Sequence, residues 1–74
     1  MSSFTEYLEE LVDLQKVSTI TFESVDGGIS TIRGHIVKFE TLVGRDMIET
    51  DTGLIIGVDQ IIEVNNRKGP KNLA

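Results

Sequence analysis

A chain of 74 residues with no cysteine and a single histidine, His35, has no disulfides, no thiol chemistry and no usual zinc ligand set. One domain of this size has a core worth only roughly 3–5 kcal/mol, so efficient packing or self-association must supply the rest. Twelve acids oppose seven bases, but Arg67, Lys68 and Lys71 fall in the last eight residues, so residues 1–66 carry a net −8, which disfavours phosphate backbones and suits basic protein surfaces.

No apolar run reaches the ~18 residues of a membrane span, and no basic-then-apolar leader opens the chain. A cytoplasmic location is therefore expected, with no cofactor and no metal.

Residues 3–15 predict one amphipathic helix. Ser3 and Glu6 have the spacing of a capping box. At about 100° per residue, Phe4, Tyr7, Leu8, Leu11, Val12 and Leu14 share one arc, and Glu6, Glu9, Glu10 and Asp13 share the opposite one. Lys16 follows at the negative end of the helix dipole.

Beyond Lys16 the period falls to 2. Ser18–Glu23 predicts a strand with Ile20 and Phe22 on one face. Asp26-Gly27-Gly28 is a turn. A long strand then runs from Ile29 to about Leu42. Ile32 and Ile36 share one face of it, Val37 and Phe39 have the other parity, and Gly34 is a place for a bend. Gly44-Arg45-Asp46 breaks the chain. Met47–Thr50, Leu54–Val58 and Ile61–Val64 predict three short strands, separated by Asp51-Thr52-Gly53 and Asp59-Gln60. The predicted architecture is mainly β: an N-terminal helix, then a five-stranded, strongly bent antiparallel barrel of the Sm/SH3-like kind. Residues 1–66 form this domain, and residues 67–74 read as a disordered basic tail.

Several short stretches invite a chemical reading. Asp51-Thr52-Gly53 is the triplet of aspartic proteases, whose chemistry needs two such carboxylates sharing a proton. Here there is one triplet, and a hairpin turn explains it: Asp bonds its own backbone and Gly takes the positive φ. His35 has no evident partner and so makes no dyad. Asp26-Gly27-Gly28 could cradle a phosphate, but no Walker or GxGxxG pattern surrounds it. Glu6, Glu9, Glu10 and Asp13 are the candidate partner-binding face, because no base interrupts them. No catalytic set emerges, so a non-enzymatic protein is expected.

The order of elements resembles bacterial Sm-like small barrels over residues 3–64. The resemblance is carried by Phe4 to Leu14, Ile20-x-Phe22, the Asp26-Gly27 turn and Gly34-His35-Ile36. The Asp and Asn that bind uridine in Sm proteins have no counterpart near Phe39-Glu40-Thr41-Leu42. A second resemblance is to the Rho-binding antiterminator (Rof) family. Tyr7-Leu8-Glu9-Glu10-Leu11, the Asp26-Gly27 turn and Val58-Asp59-Gln60-Ile61 are similar to segments of that family. It implies a small acidic protein that inhibits the termination factor Rho by docking onto its RNA-binding surface. The helix acids, Glu9 and Glu10 above all, would then face basic Rho residues. The alternative is an Sm-like RNA-binding protein acting as an oligomeric ring.

Overall fold

The computed structural model describes residues 3–72. One helix, α1 (Phe4–Leu14), precedes β1 (Val17–Glu23), β2 (Ile29–Leu42), β3 (Arg45–Thr50), β4 (Ile55–Gly57), β5 (Ile61–Val64) and β6 (Arg67–Lys68). A 3₁₀ turn, Val58–Gln60, separates β4 from β5. All pairings are antiparallel, and the order across the sheet is β4-β3-β2-β1-β5-β6.

The predicted class holds at the coarse level: mainly β, with an N-terminal helix. Two finer expectations do not. Among the described residues the strands number six, not five, and β4 and β6 are open edges, so the sheet does not close into a hydrogen-bonded barrel. The sixth strand lies in the segment read as a disordered tail. Its polar composition hid it, because Arg67–Lys68 join the sheet by backbone pairing: Val64 lies opposite Arg67 and Glu63 opposite Lys68. The next turn is also tied down, Gly69 N–H donating to Ile62 O (2.8 Å) and Lys71 N–H to Ile61 O (2.9 Å).

Although open, the sheet is strongly curled. In a flat sheet, β4 and β5 would stand four strand spacings apart, about 19 Å. The Val58–Gln60 link joins them, and four residue steps span at most about 14 Å even when extended. The sheet must therefore roll. β2 shows the same constraint. Its 14 residues would extend about 43 Å if straight, yet the longest dimension of the molecule is 30 Å. The first half of β2 pairs with β1 (Ile29 to His35) and the second half with β3 (Ile36 to Leu42).

The bend comes from a bulge, at a place other than Gly34. Ile36 faces Thr50 and Lys38 faces Glu49, which leaves Val37 as the extra residue. Val37 is pushed outward, 45% exposed, and Phe39 returns to the same core as Ile36. Val37 and Phe39 thus do not share a second layer. One core contains Leu8, Leu11, Ile20, Phe22, Ile36, Ile48, Ile56, Val58, Ile61 and Val64. At about 25 cal/mol per Å² of apolar surface, these ten side chains supply most of the driving force.

Candidate protein-docking face

The rotation of α1 decides which side chains reach solvent. Its start is fixed by the expected capping box: Glu6 N–H donates to Ser3 Oγ (3.2 Å) and Ser3 N–H to Glu6 Oε1 (2.9 Å). Its end is fixed by Gln15 in the left-handed region (φ 52°), where Lys16 N–H closes on Leu11 O. Lys16 therefore lies beyond the cap, and the last turn of the helix holds no base. Leu8 and Leu11 are buried. Leu14 is 52% exposed despite its place on the apolar arc. It lies about 90° from the Leu8–Leu11 axis, at the flank of the stripe.

Tyr7 locks the helix laterally. Its hydroxyl accepts from Asn65 Nδ2 (3.2 Å), and the Arg67 guanidinium lies 4.6 Å from its ring centre. Asn65 opens the β5–β6 turn at φ 50° and also binds β1, its Oδ1 accepting from Thr19 N–H and its Nδ2 donating to Ser18 Oγ. Helix, first strand and last hairpin are thus held by one asparagine.

With α1 so placed, Glu6, Glu9, Glu10 and Asp13 are all exposed. They do not form one equivalent set. Glu6 is occupied by capping, and the Ser3 backbone N–H, then the Ser3 hydroxyl, hold its carboxyl below the usual range. Among the described residues, Glu9, Glu10 and Asp13 pair with no base. Four acids elsewhere lie against a basic side chain: Glu23 with Lys71 (3.4 Å), Glu40 with Lys38 (3.1 Å), Asp59 with Arg45 (2.9 Å) and Asp51 with His35 (3.4 Å). Asp46, Glu49 and Glu63 pair with no base among the described residues but lie on β3 and β5, whereas the three acids of α1 share one exposed helix face. Beside the free acids lies a shallow cavity of about 160 Å³, lined by Glu9, Val12, Asp13 and Phe39. Phe39 was not legible as part of this face, since only the Val37 bulge turns it toward α1. The arrangement is a notch with an apolar floor and two carboxylates at its rim. It suits a lysine or arginine, whose stem is apolar and whose head is charged.

The remaining sequence candidates resolve as follows. Thr50–Leu54 is a hairpin turn: Gly53 N–H donates to Thr50 O (2.9 Å), Thr50 N–H to Leu54 O (2.9 Å), and Gly53 takes φ 87°. Asp51 does not bond its own turn. Its backbone N–H donates to His35 O (2.9 Å), and its carboxylate lies 3.4 Å from His35 Nδ1. Gly34 makes room for it, because a Cβ there would sit 2.5 Å from Asp51 Oδ1. The pairing of His35 with Asp51 spans 16 positions, and local spacing carried no sign of it. In the β1–β2 turn, Asp26 Oδ1 accepts from Ser24 Oγ (2.6 Å) and Gly28 N–H (3.0 Å). These bonds hold the Asp26 carboxyl below the usual range, the Ser24 hydroxyl contributing most. The turn thus spends the Gly28 N–H on its own carboxylate, where a phosphate cradle would need it. Of the tail bases, Arg67 lies on Tyr7 and Lys71 reaches Glu23.

Among the described residues no cluster of three His, Asp or Glu could hold a metal, and no helix is long and apolar enough to cross a membrane. Fold and surface together define a small, curled antiparallel sheet domain with an acidic helix on its outside. No protein-family model matches the chain, and no curated protein and no solved structure is significantly similar to it.

Proposed function

We propose that this chain is a non-enzymatic, acidic protein-binding module that docks onto a basic protein surface through α1. The observation that carries the reading is the unmatched charge of Glu9, Glu10 and Asp13 beside an apolar-floored notch. Exposed like charges four apart on a helix cost stability, and Asp13 adds to that cost at the negative end of the dipole. A basic partner removes both penalties on binding. Charge steering speeds the encounter, and the notch at Glu9 and Asp13 sets the register.

The termination factor Rho is the partner implied by the Rof-like segments, and an Sm-like, incompletely closed barrel is the fold that goes with them. The curl of the sheet and the long bent β2 support that fold reading. On this reading the protein inhibits Rho by covering its RNA-binding surface. The alternative, an RNA-binding ring, needs cations on a common face; of the seven bases, Lys38, Arg45 and Lys71 are each paired with a carboxylate.

The test is the RNA-stimulated ATPase activity of Rho with wild-type protein and with the Glu9→Lys, Glu10→Lys double variant. Inhibition by wild type and its loss in the double variant is the expected pattern. If wild type leaves the ATPase unchanged, Rho is not the partner. If both proteins inhibit equally, α1 is not the docking face.

A further inference from the structure

A second surface lies away from the acidic helix, at the β4 edge. Val25, at the tip of the β1–β2 turn, is 99% exposed, and Ile55 and Leu54 are 56% and 38% exposed. Together with Phe22, Ser24, Ile56 and Gln60 they line a cavity of about 210 Å³. No charged residue lines it, in a chain whose net charge is −5. We propose that this patch is a self-association surface, and that its occupant is the same patch of a second copy, related by a twofold axis.

Three features favour a second copy over a basic partner. First, charge: the lining itself is uncharged, and of the nearby acids Glu23 and Asp59 are paired with Lys71 and Arg45, Asp51 lies beside His35 and Asp26 is tied into its own turn, while Glu49, opposite Ile55 on β3, pairs with no base. The hollow therefore offers a cation no carboxylate within its own lining, and its apolar wall suits a like apolar patch. Second, shape: a protruding Val25 stands beside a hollow floored by Phe22 and Ile56, so each copy offers both knob and hole, as an isologous contact requires. Third, the edge: β4 pairs only with β3, and its outer side is open. Gly57 N–H is already taken by Gln60 Oε1 (3.0 Å), which blunts that end of the edge and leaves the Leu54–Ile55 end beside the patch. The contact also supplies the support that a single core of this size lacks.

Sedimentation velocity from about 1 µM to about 1 mM tests the proposal. Wild type is expected to pass from monomer to dimer. Val25→Glu and Ile55→Asp are each expected to weaken the dimer about tenfold or more. Val25 is fully exposed, so its variant should keep the wild-type circular dichroism spectrum and thermal midpoint. Glu9→Lys, Glu10→Lys should leave the dimer intact. A wild-type monomer at every concentration overturns the proposal. So does a dimer indifferent to both patch variants, a dimer abolished by the helix variant, or a larger ring built head to tail from β4 and β6.

Discussion

Replacing Asp13 with lysine should make the protein more stable and a weaker binder. Asp13 lies in the last turn of α1, where no base offsets the negative end of the dipole. Removing a carboxylate from that position recovers about 0.3–1 kcal/mol, and its exposure puts the gain toward the lower end. Lysine then adds a favourable term of about 0.2–0.5 kcal/mol, because Glu9 stands four residues N-terminal to it, the preferred order. The sum is roughly 0.5–1 kcal/mol, or about 2–8 °C in a domain of this size. Thermal unfolding at about 20 mM and about 1 M salt reads it. The gain should shrink at high salt, where the screening length falls to about 3 Å. Asp13→Asn should recover only the dipole part. An unchanged or lower midpoint for Asp13→Lys would refute the claim that the helix face is electrostatically strained. A gain that persists undiminished in 1 M salt would show that its origin is not charge.

Three further outcomes follow from local geometry. Val43 is a β-branched residue at φ 51° in the two-residue β2–β3 turn, and it is fully exposed. Val43→Asn should therefore raise the urea midpoint, by about 1 kcal/mol in stability, and a loss would contradict the turn conformation. Gly34→Ala should destabilise by about 1 kcal/mol or less, since its Cβ meets only the end of the Asp51 side chain, which can swing aside at the cost of its contact with His35. Combined with Asp51→Ala, most of that loss should vanish, and strictly additive effects would exclude the contact. The carboxyls of Glu6 and Asp26 are both held below their ordinary range by hydrogen bonds to the charged form. Their contribution is therefore complete above the ordinary carboxylate pKa and is lost as pH falls through the depressed values. Urea midpoints should fall below about pH 4–5, and less steeply in a Glu6→Gln, Asp26→Asn variant. Equal slopes in the two proteins would remove these groups from the acid limb.

Local features were legible in the chain itself. The start of α1 could be read because Ser3 and Glu6 satisfy each other within one turn, and β1 could be read because Ile20 and Phe22 alternate with polar residues. The turn at Thr50–Leu54 could be read from Gly53, although the carboxylate of Asp51 turned out to serve His35 and not its own backbone. The four acids of α1 were visible as a face, but Glu6 belongs to the cap. In each case the forces act within a few residues, so spacing encodes them.

The tertiary structure decided whatever depends on residues far apart in sequence. The Val37 bulge exists because β2 must serve β1 and β3 in a molecule shorter than the straight strand. That bulge brings Phe39 beside Val12 and so makes the notch. β6 exists because β5 has a free edge to pair with, not because Arg67 and Lys68 favour a strand. Val58–Gln60 turns where the apolar run Leu54–Val58 suggested a continuing strand, because the chain must cross from the β4 edge to the far side of β1. The chain's own periodicity fixed which residues are apolar and which are charged. Only the roll of the sheet decided which of them meet.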